Sequence, residues 1–445
     1  MDSARFLRRQ DHRTRLAGPP IPARWLGWAG RATPQSPGIA TLDEERLSPT
    51  RVLSWLVLAL VLPTELSLYL GPLRLTPYRL VLLPVFVGLL SGILSGRVGR
   101  LLVADRCIMA FAAWAVMATA VTQGPASALE SGGILVVESL GAYLVGRTFV
   151  RSEADMRRFA GLLALVVCVL TVIVLPELIT GKHLVHDVFG ALTGRRQPTP
   201  VEGRFGLWRS YGPFDHPILH GSFCATAFGM AFCLRSGRRM ARGLMIALGA
   251  FSSLSSACLM ALFLQVGLLL YGRVTRALRQ RWALLGLALL GAYTAISVLS
   301  SRSGLKALLW YLTFDRHTAS YRIQIWEHGM ANVAANPLFG LGDASWDRPS
   351  WMAESVDAFW LQLALTYGAP APLLLIVASV LLLRGAGRCR VLDEAGRLLR
   401  DGWAVTLVAL LFVGFTVHYW NNMFVLFFLM LGAGAWMTDP AGRRR

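Results

Sequence analysis

Apolar runs near 20 residues long, almost free of charge, recur twelve times along the chain, at about 52–70, 78–96, 107–123, 132–150, 159–179, 217–234, 243–256, 257–272, 282–300, 357–383, 403–417 and 423–437. A helix of that length matches the roughly 30 Å hydrocarbon core of a bilayer, so the pattern predicts about 12 transmembrane helices in an all-α polytopic membrane protein. The run at 243–256 is short for a span. Most polar stretches between the runs are short and Arg-bearing. Two are long, about 180–216 and about 301–356, and connections of that length often carry function. Residues 1–50 are rich in Arg, Pro and Gly, lack apolar periodicity and lack the apolar core of a signal peptide, which predicts a disordered basic cytoplasmic tail. The expected organisation is this tail, a multi-span domain over 51–437 and a basic cytoplasmic C-terminus at 438–445.

Orientation follows from the cations. With the tail inside, 32 of the 44 Lys and Arg fall on the cytoplasmic side and 12 on the outer side. Every short cytoplasmic loop then obeys the positive-inside rule, so both termini are expected in the cytoplasm and both long loops outside. Ten of the twelve outer cations lie in the long loops: Lys182, Arg195, Arg196, Arg204 and Arg209 in the first, and Arg302, Lys306, Arg316, Arg322 and Arg348 in the second. They either snorkel at lipid headgroups or serve an anionic ligand.

Composition narrows the function. The chain has 445 residues, 55% of them hydrophobic, only 16% charged, with a mean hydropathy of +0.52. Its net charge of +19 therefore marks membrane topology and not nucleic-acid binding. The six cysteines form no CxxC pair, and no phosphate-binding glycine loop, HExxH, GxSxG or dinucleotide fingerprint occurs. No cofactor and no metal are expected. Glu138 and Gln265, polar within spans, should face the bundle interior.

Three outer stretches hold candidate chemistry. The first runs from Arg209 to Gly221 and contains Tyr211, Asp215, His216, Pro217 and His220. Pro217 suits the first turn of a helix, with Asp215 or His216 as its cap, and a helix N-terminus beside an arginine is a natural anion site. The second runs from Tyr321 to Gly342 and reads as a surface helix from Arg322 to Ala335, ending before Pro337. The third, Val356 to Gly368, puts Asp357 at the mouth of a span. The outer aromatics Trp208, Trp310, Trp346, Trp351 and Trp360 suit either an interfacial belt or stacking on sugar rings.

In this order and on these loops, the stretches resemble the O-antigen polymerase and ligase superfamily of bacterial envelope glycosyltransferases. Arg209, Gly212 and Pro217 match its Arg-x-x-Gly-x-x-x-x-Pro segment; Arg322, Trp326, Pro337, Gly340 and Gly342 match an Arg, Trp, Pro-x-x-Gly-x-Gly segment; Asp357 and Gly368 match a closing pair. Asp357 replaces the ligase-type histidine, and Ala358 stands where Asn is common, which favours a polymerase over a ligase. The resemblance implies a glycan donor on polyprenyl diphosphate, a growing polysaccharide as acceptor, and work on the outer face of a bacterial cytoplasmic membrane, beside chain-length regulators or export proteins. Arg209 and Arg322 are then the candidates for stabilising the diphosphate, and Asp357, followed by His216, for accepting the acceptor proton. Arg204, His220, Tyr211, Trp326 and Trp360 are candidate substrate contacts. The competing readings are a ligase that transfers finished glycan to a lipid or protein acceptor, a transporter or flippase, and a structural subunit of an envelope assembly.

Overall fold

The computed structural model describes residues 49–71, 73–94, 100–195, 200–234, 237–278, 280–299, 316–389 and 392–438. The expected tail up to residue 48, the C-terminus from 439, and Arg196, Arg302, Lys306 and Trp310 lie outside the described residues.

Helices dominate: α1 (Pro49–Ala59), α2 (Pro77–Leu94), α3 (Val103–Gln123), α4 (Pro125–Phe149), α5 (Glu153–Thr180), α6 (Leu184–Thr193), α7 (Pro217–Cys233), α8 (Arg239–Ser252), α9 (Ser256–Val274), α10 (Arg281–Leu299), α11 (Arg316–Ala335), α12 (Phe359–Tyr367), α13 (Pro370–Arg388), α14 (Glu394–Val413) and α15 (Asn422–Gly434). Among the described residues six of them (α3, α4, α5, α9, α10 and α13) are long and apolar enough to cross a membrane. The protein is an all-α membrane protein.

Three expected elements differ. The run at 52–70 is helical only to Ala59, and its last residues form a two-stranded hairpin, β1 (Leu68–Leu70) with β2 (Leu73–Leu75). Pro63 and the buried Thr64 and Glu65 interrupt the helix. The run at 357–383 divides into α12 and α13, because Gly368 takes a left-handed φ of +80° and Pro370 starts a new helix. The first long loop is ordered over much of its length, containing α6 and a second hairpin, β3 (Gly203–Arg204) with β4 (Leu207–Trp208).

Interior polar groups are satisfied across helices. Gln265 accepts from the Gly229 N–H at 2.9 Å and the Thr406 hydroxyl at 3.1 Å, tying α9 to α7 and α14. Glu138 pairs with Arg79 at 2.7 Å, on the second of two π-helical turns of α4, Ala128–Gly132 and Val137–Gly141. α4 and α15 meet through small residues, since a Cβ on Gly146 would come within 2.5 Å of the Leu429 carbonyl oxygen.

The connections sort to two ends of the bundle. At one end the segments after α1, α5, α8 and α14 join: Thr64 and Asn421 both bond Asp215, and Arg209 bonds the Ser253 carbonyl. At the other end Gly396 at the start of α14 packs on Glu153 at the start of α5, and Arg147 reaches the Arg100 carbonyl.

Candidate functional site

The site is built on the segment 209–216, and a buried carboxylate holds its turn. Glu177, near the end of α5, accepts the backbone N–H groups of Tyr211 at 2.9 Å and Gly212 at 3.0 Å. Gly212 has a φ of +57°, the left-handed conformation that a side chain would strain. Its neighbour Ser210 donates its N–H to the Ser252 carbonyl at 2.9 Å. The segment is thereby fixed between α5 and the end of α8.

Arg209 is 4% exposed. Its Nε donates to the Ser253 carbonyl at 3.0 Å and Nη1 to the Glu202 carboxylate, while Nη2 is buried without a partner. A guanidinium with one unmet donor is suited to an anion. Arg204, on the hairpin before it, bonds the Leu254 carbonyl at 3.2 Å.

His216 caps α7 as the Pro217 signature predicts, with Nδ1 accepting the Ile218 N–H at 3.1 Å. Burial, then the charges of Arg209 and Arg204 working against Glu202, push its imidazole down to about 4. The ring is therefore neutral at physiological pH, and the proton sits on Nε2, because Nδ1 is accepting.

The second half of the site comes from far along the chain. Arg322 on α11 is 8% exposed and has no hydrogen-bonding partner among the described residues. Burial lowers the pKa of its guanidinium; Asp357 opposes that shift and Arg204 adds to it. Asp357 is open to water but recessed among protein atoms, so partial desolvation raises its carboxyl while Arg322 pulls it back. The structure thus brings Arg204 and Arg209 within electrostatic reach of His216 on the same loop, Arg204 within reach of Arg322, and Arg322 within reach of Asp357.

Other expected contacts have different surroundings. His220 is fully buried, its Nε2 facing the Gly249 carbonyl and the Ser252 hydroxyl, both at 3.1 Å. Trp360 is 4% exposed and donates to the Leu411 carbonyl. Trp326 donates to the Phe415 carbonyl at 3.0 Å and stacks on the Phe415 ring, fastening α11 to the end of α14. Tyr211 is buried with its ring 4.4 Å from that of His183. The glycines of the Pro337–Gly342 stretch are structural: the Leu341 and Gly342 N–H groups bond the Leu365 and Thr366 carbonyls at 2.7 and 3.1 Å, and the Ala369 N–H bonds Pro337 at 2.9 Å. A side chain on Gly340 or Gly368 would strike this backbone-on-backbone seam.

Sequence reasoning missed His418, Trp420 and Asn421, between α14 and α15. The Trp420 ring lies 5.9 Å from His216 and 5.5 Å from His418. His418 Nδ1 is buried without a partner, and Asn421 holds a φ of +50° while donating to Asp215. The only available signal was the run of polar and aromatic residues His418-Tyr419-Trp420-Asn421-Asn422 between two apolar runs.

Residues 241–376 match the O-antigen ligase family model. The matched segment contains Arg322, Trp326, Pro337, Gly340, Gly342, Asp357 and Gly368, whereas Arg204, Arg209 and His216 precede it. No curated protein matches the chain. Through residues 241–376 the chain is thus similar to the O-antigen ligase family, which supports a place in the O-antigen ligase and polymerase superfamily.

Proposed function

We propose that the protein is a polymerase-type glycosyltransferase extending a surface polysaccharide, whether exopolysaccharide, capsule or O-antigen, from polyprenyl-diphosphate-linked repeat units on the outer face of the bacterial cytoplasmic membrane. The observation that carries this reading is the cluster in which Arg204 and Arg209 act on His216, Arg204 on Arg322 and Arg322 on Asp357, with one Arg209 donor buried and unmet although Glu202 pairs with another. In the reaction an acceptor hydroxyl oxygen attacks the anomeric carbon of the donor glycan. The bond from that carbon to the phosphate oxygen breaks, and the lipid diphosphate leaves with the electron pair. Arg209 and Arg322 stabilise the charge growing on the leaving oxygen, and always-charged, forked guanidinium donors suit that task. Asp357 accepts the hydroxyl proton. The replacement of the ligase-type His-Asn pair by Asp357 and Ala358 supports polymerase over ligase. The ligase reading shares the cluster and differs in acceptor.

Arg322 gives the cleanest test, because its guanidinium makes no hydrogen bond among the described residues. Arg322→Ala in proteoliposomes supplied with lipid-linked repeat units should retain a wild-type melting temperature and lose elongation by about 100-fold or more, the usual cost of removing one donor to a developing oxyanion. Lysine should rescue only partly. Wild-type elongation by the alanine variant would end the proposal.

A further inference from the structure

A recess of about 510 Å³, within the size range of small-molecule sites, about 300–1,000 Å³, lies next to the arginine cluster, its Trp420 ring 5.9 Å from that of His216. Its chemistry differs from that of the cluster. Glu138, Asp343 and Glu354 line it, and neither Arg nor Lys does. Gln362 and Asn421 add amides, and Trp420 adds an aromatic face. Carboxylates and amides accept from and donate to hydroxyls, and an aromatic ring covers the C–H face of a sugar, whereas a lining without Arg or Lys gives a phosphate no cationic partner; Arg79 and Arg348, which pair with Glu138 and Glu354, are not part of it.

Two irregularities fall in this recess. α4 reaches it through its π-helical turns, which turn Ser131 and Glu138 to the lining. Asn421, one of the few non-glycine residues with positive φ among the described residues, also lines it. Such distortions cluster at functional sites. The buried, unpartnered His418 Nδ1 belongs to a lining residue too. Trp420 lines this recess and its ring stands 5.9 Å from that of His216 in the arginine cluster, so the two are neighbours.

We infer that this recess is the acceptor subsite: it holds the terminal sugar of the acceptor glycan through its hydroxyls and offers an anionic group no cationic partner, leaving the diphosphate to the arginines. This rests on the proposed transferase reading. A transferase must seat two substrates with the acceptor hydroxyl beside the donor carbon, and a cation-free recess next to the arginine cluster through Trp420 and His216 meets that need.

The test uses the full-length protein in lipid nanodiscs and two probes. One is the phosphate-free glycan released by mild acid from the host's own lipid-linked repeat units, followed by saturation-transfer NMR; the other is undecaprenyl diphosphate. Gln362→Trp, which fills the recess, and Asp343→Lys, a change at an exposed lining position, should each weaken glycan binding at least tenfold and leave undecaprenyl diphosphate binding unchanged. Arg322→Ala should do the reverse, and inorganic pyrophosphate should not displace the glycan from the wild type. Asp343→Lys guards against a misfolded Gln362→Trp. The inference is overturned if the glycan does not bind, if both recess variants bind it normally, or if pyrophosphate or Arg322→Ala removes it. Undecaprenyl diphosphate binding that ignores Arg322 would instead sink the transferase reading, whatever the glycan does.

Discussion

Helix α12 begins at Phe359 with Ala358 at its cap position, and no side chain accepts from its first turn. Asp357 stands just outside and makes no hydrogen bond among the described residues, so its carboxylate is not spent on capping. His216, the other acid–base candidate, uses Nδ1 to cap α7 and leaves an N–H facing outward, which donates and cannot accept. Asp357→Asn keeps shape and removes basicity, so elongation in the reconstituted assay should fall by about 100-fold or more while undecaprenyl diphosphate binding persists. Because burial raises the Asp357 carboxyl, the acid limb of the wild-type pH–rate profile should sit above the ordinary aspartate range. Near-normal elongation by the Asn variant would remove Asp357 from the chemistry. A different histidine sets a pH dependence of stability. His186 faces acceptors on both sides, Glu65 at 2.7 Å from Nδ1 and the Phe214 carbonyl at 3.0 Å from Nε2, and two acceptors require a doubly protonated ring. Burial pulls its pKa down, but the Glu65 hydrogen bond and charge outweigh burial and the net shift is upward. A raised folded pKa gives stability that is complete below the unfolded value near 6.5 and disappears as pH rises through the folded value. Thermal unfolding should therefore move to lower temperature as pH is raised across that window, and His186→Gln should flatten the dependence. An unchanged slope in that variant would mean another group is titrating.

At the scale of elements, the seam between Pro337–Gly342 and the end of α12 explains why this stretch needs glycines at its spacing. Gly340 and Gly368 have φ of +70° and +80°, and a Cβ on either would enter the opposing backbone. Gly368→Ala should destabilise the protein by more than about 2 kcal/mol, through positive φ and overpacking together, and lower its membrane abundance. A wild-type melting temperature for Gly368→Ala would show that the seam can part without cost. Hydropathy located these elements where apolar side chains face lipid or core, and it failed where apolar residues serve another geometry. Leu68, Tyr69, Leu70, Leu73 and Leu75 prolong the first apolar run yet pair as strands, a difference that apolarity alone does not encode. α14 starts at Glu394, well before its apolar run, because Asp393 caps it by accepting from the Gly396 N–H at 2.7 Å. The arginines and Asp357 were legible as motif residues. The recess wall at His418, Trp420 and Asn421 was not, since it depends on a short turn bringing three helix ends together.

For the whole molecule, the sorting of connections to two ends is the structural counterpart of the cation count. Arg79, Arg204, Arg209 and Arg322 gather at the end where Asp215 joins Thr64 to Asn421, while the short Arg-rich connections lie at the other. In a soluble protein a concentration of buried arginines at one end would be costly. In the proposed transferase the same end would attract anionic lipid heads diffusing in the leaflet. That use requires the end to face away from the cytoplasm, the orientation that the positive-inside rule predicts with 32 of the 44 cations inside. A single cysteine introduced at the exposed Ser345, on the segment between α11 and α12, should react with a membrane-impermeant maleimide in intact cells. One introduced at the exposed Arg239, at the start of α8, should react only after the membrane is opened. The reverse pattern would put the arginine cluster on the cytoplasmic side, and the donor would then have to be used before it crosses the membrane.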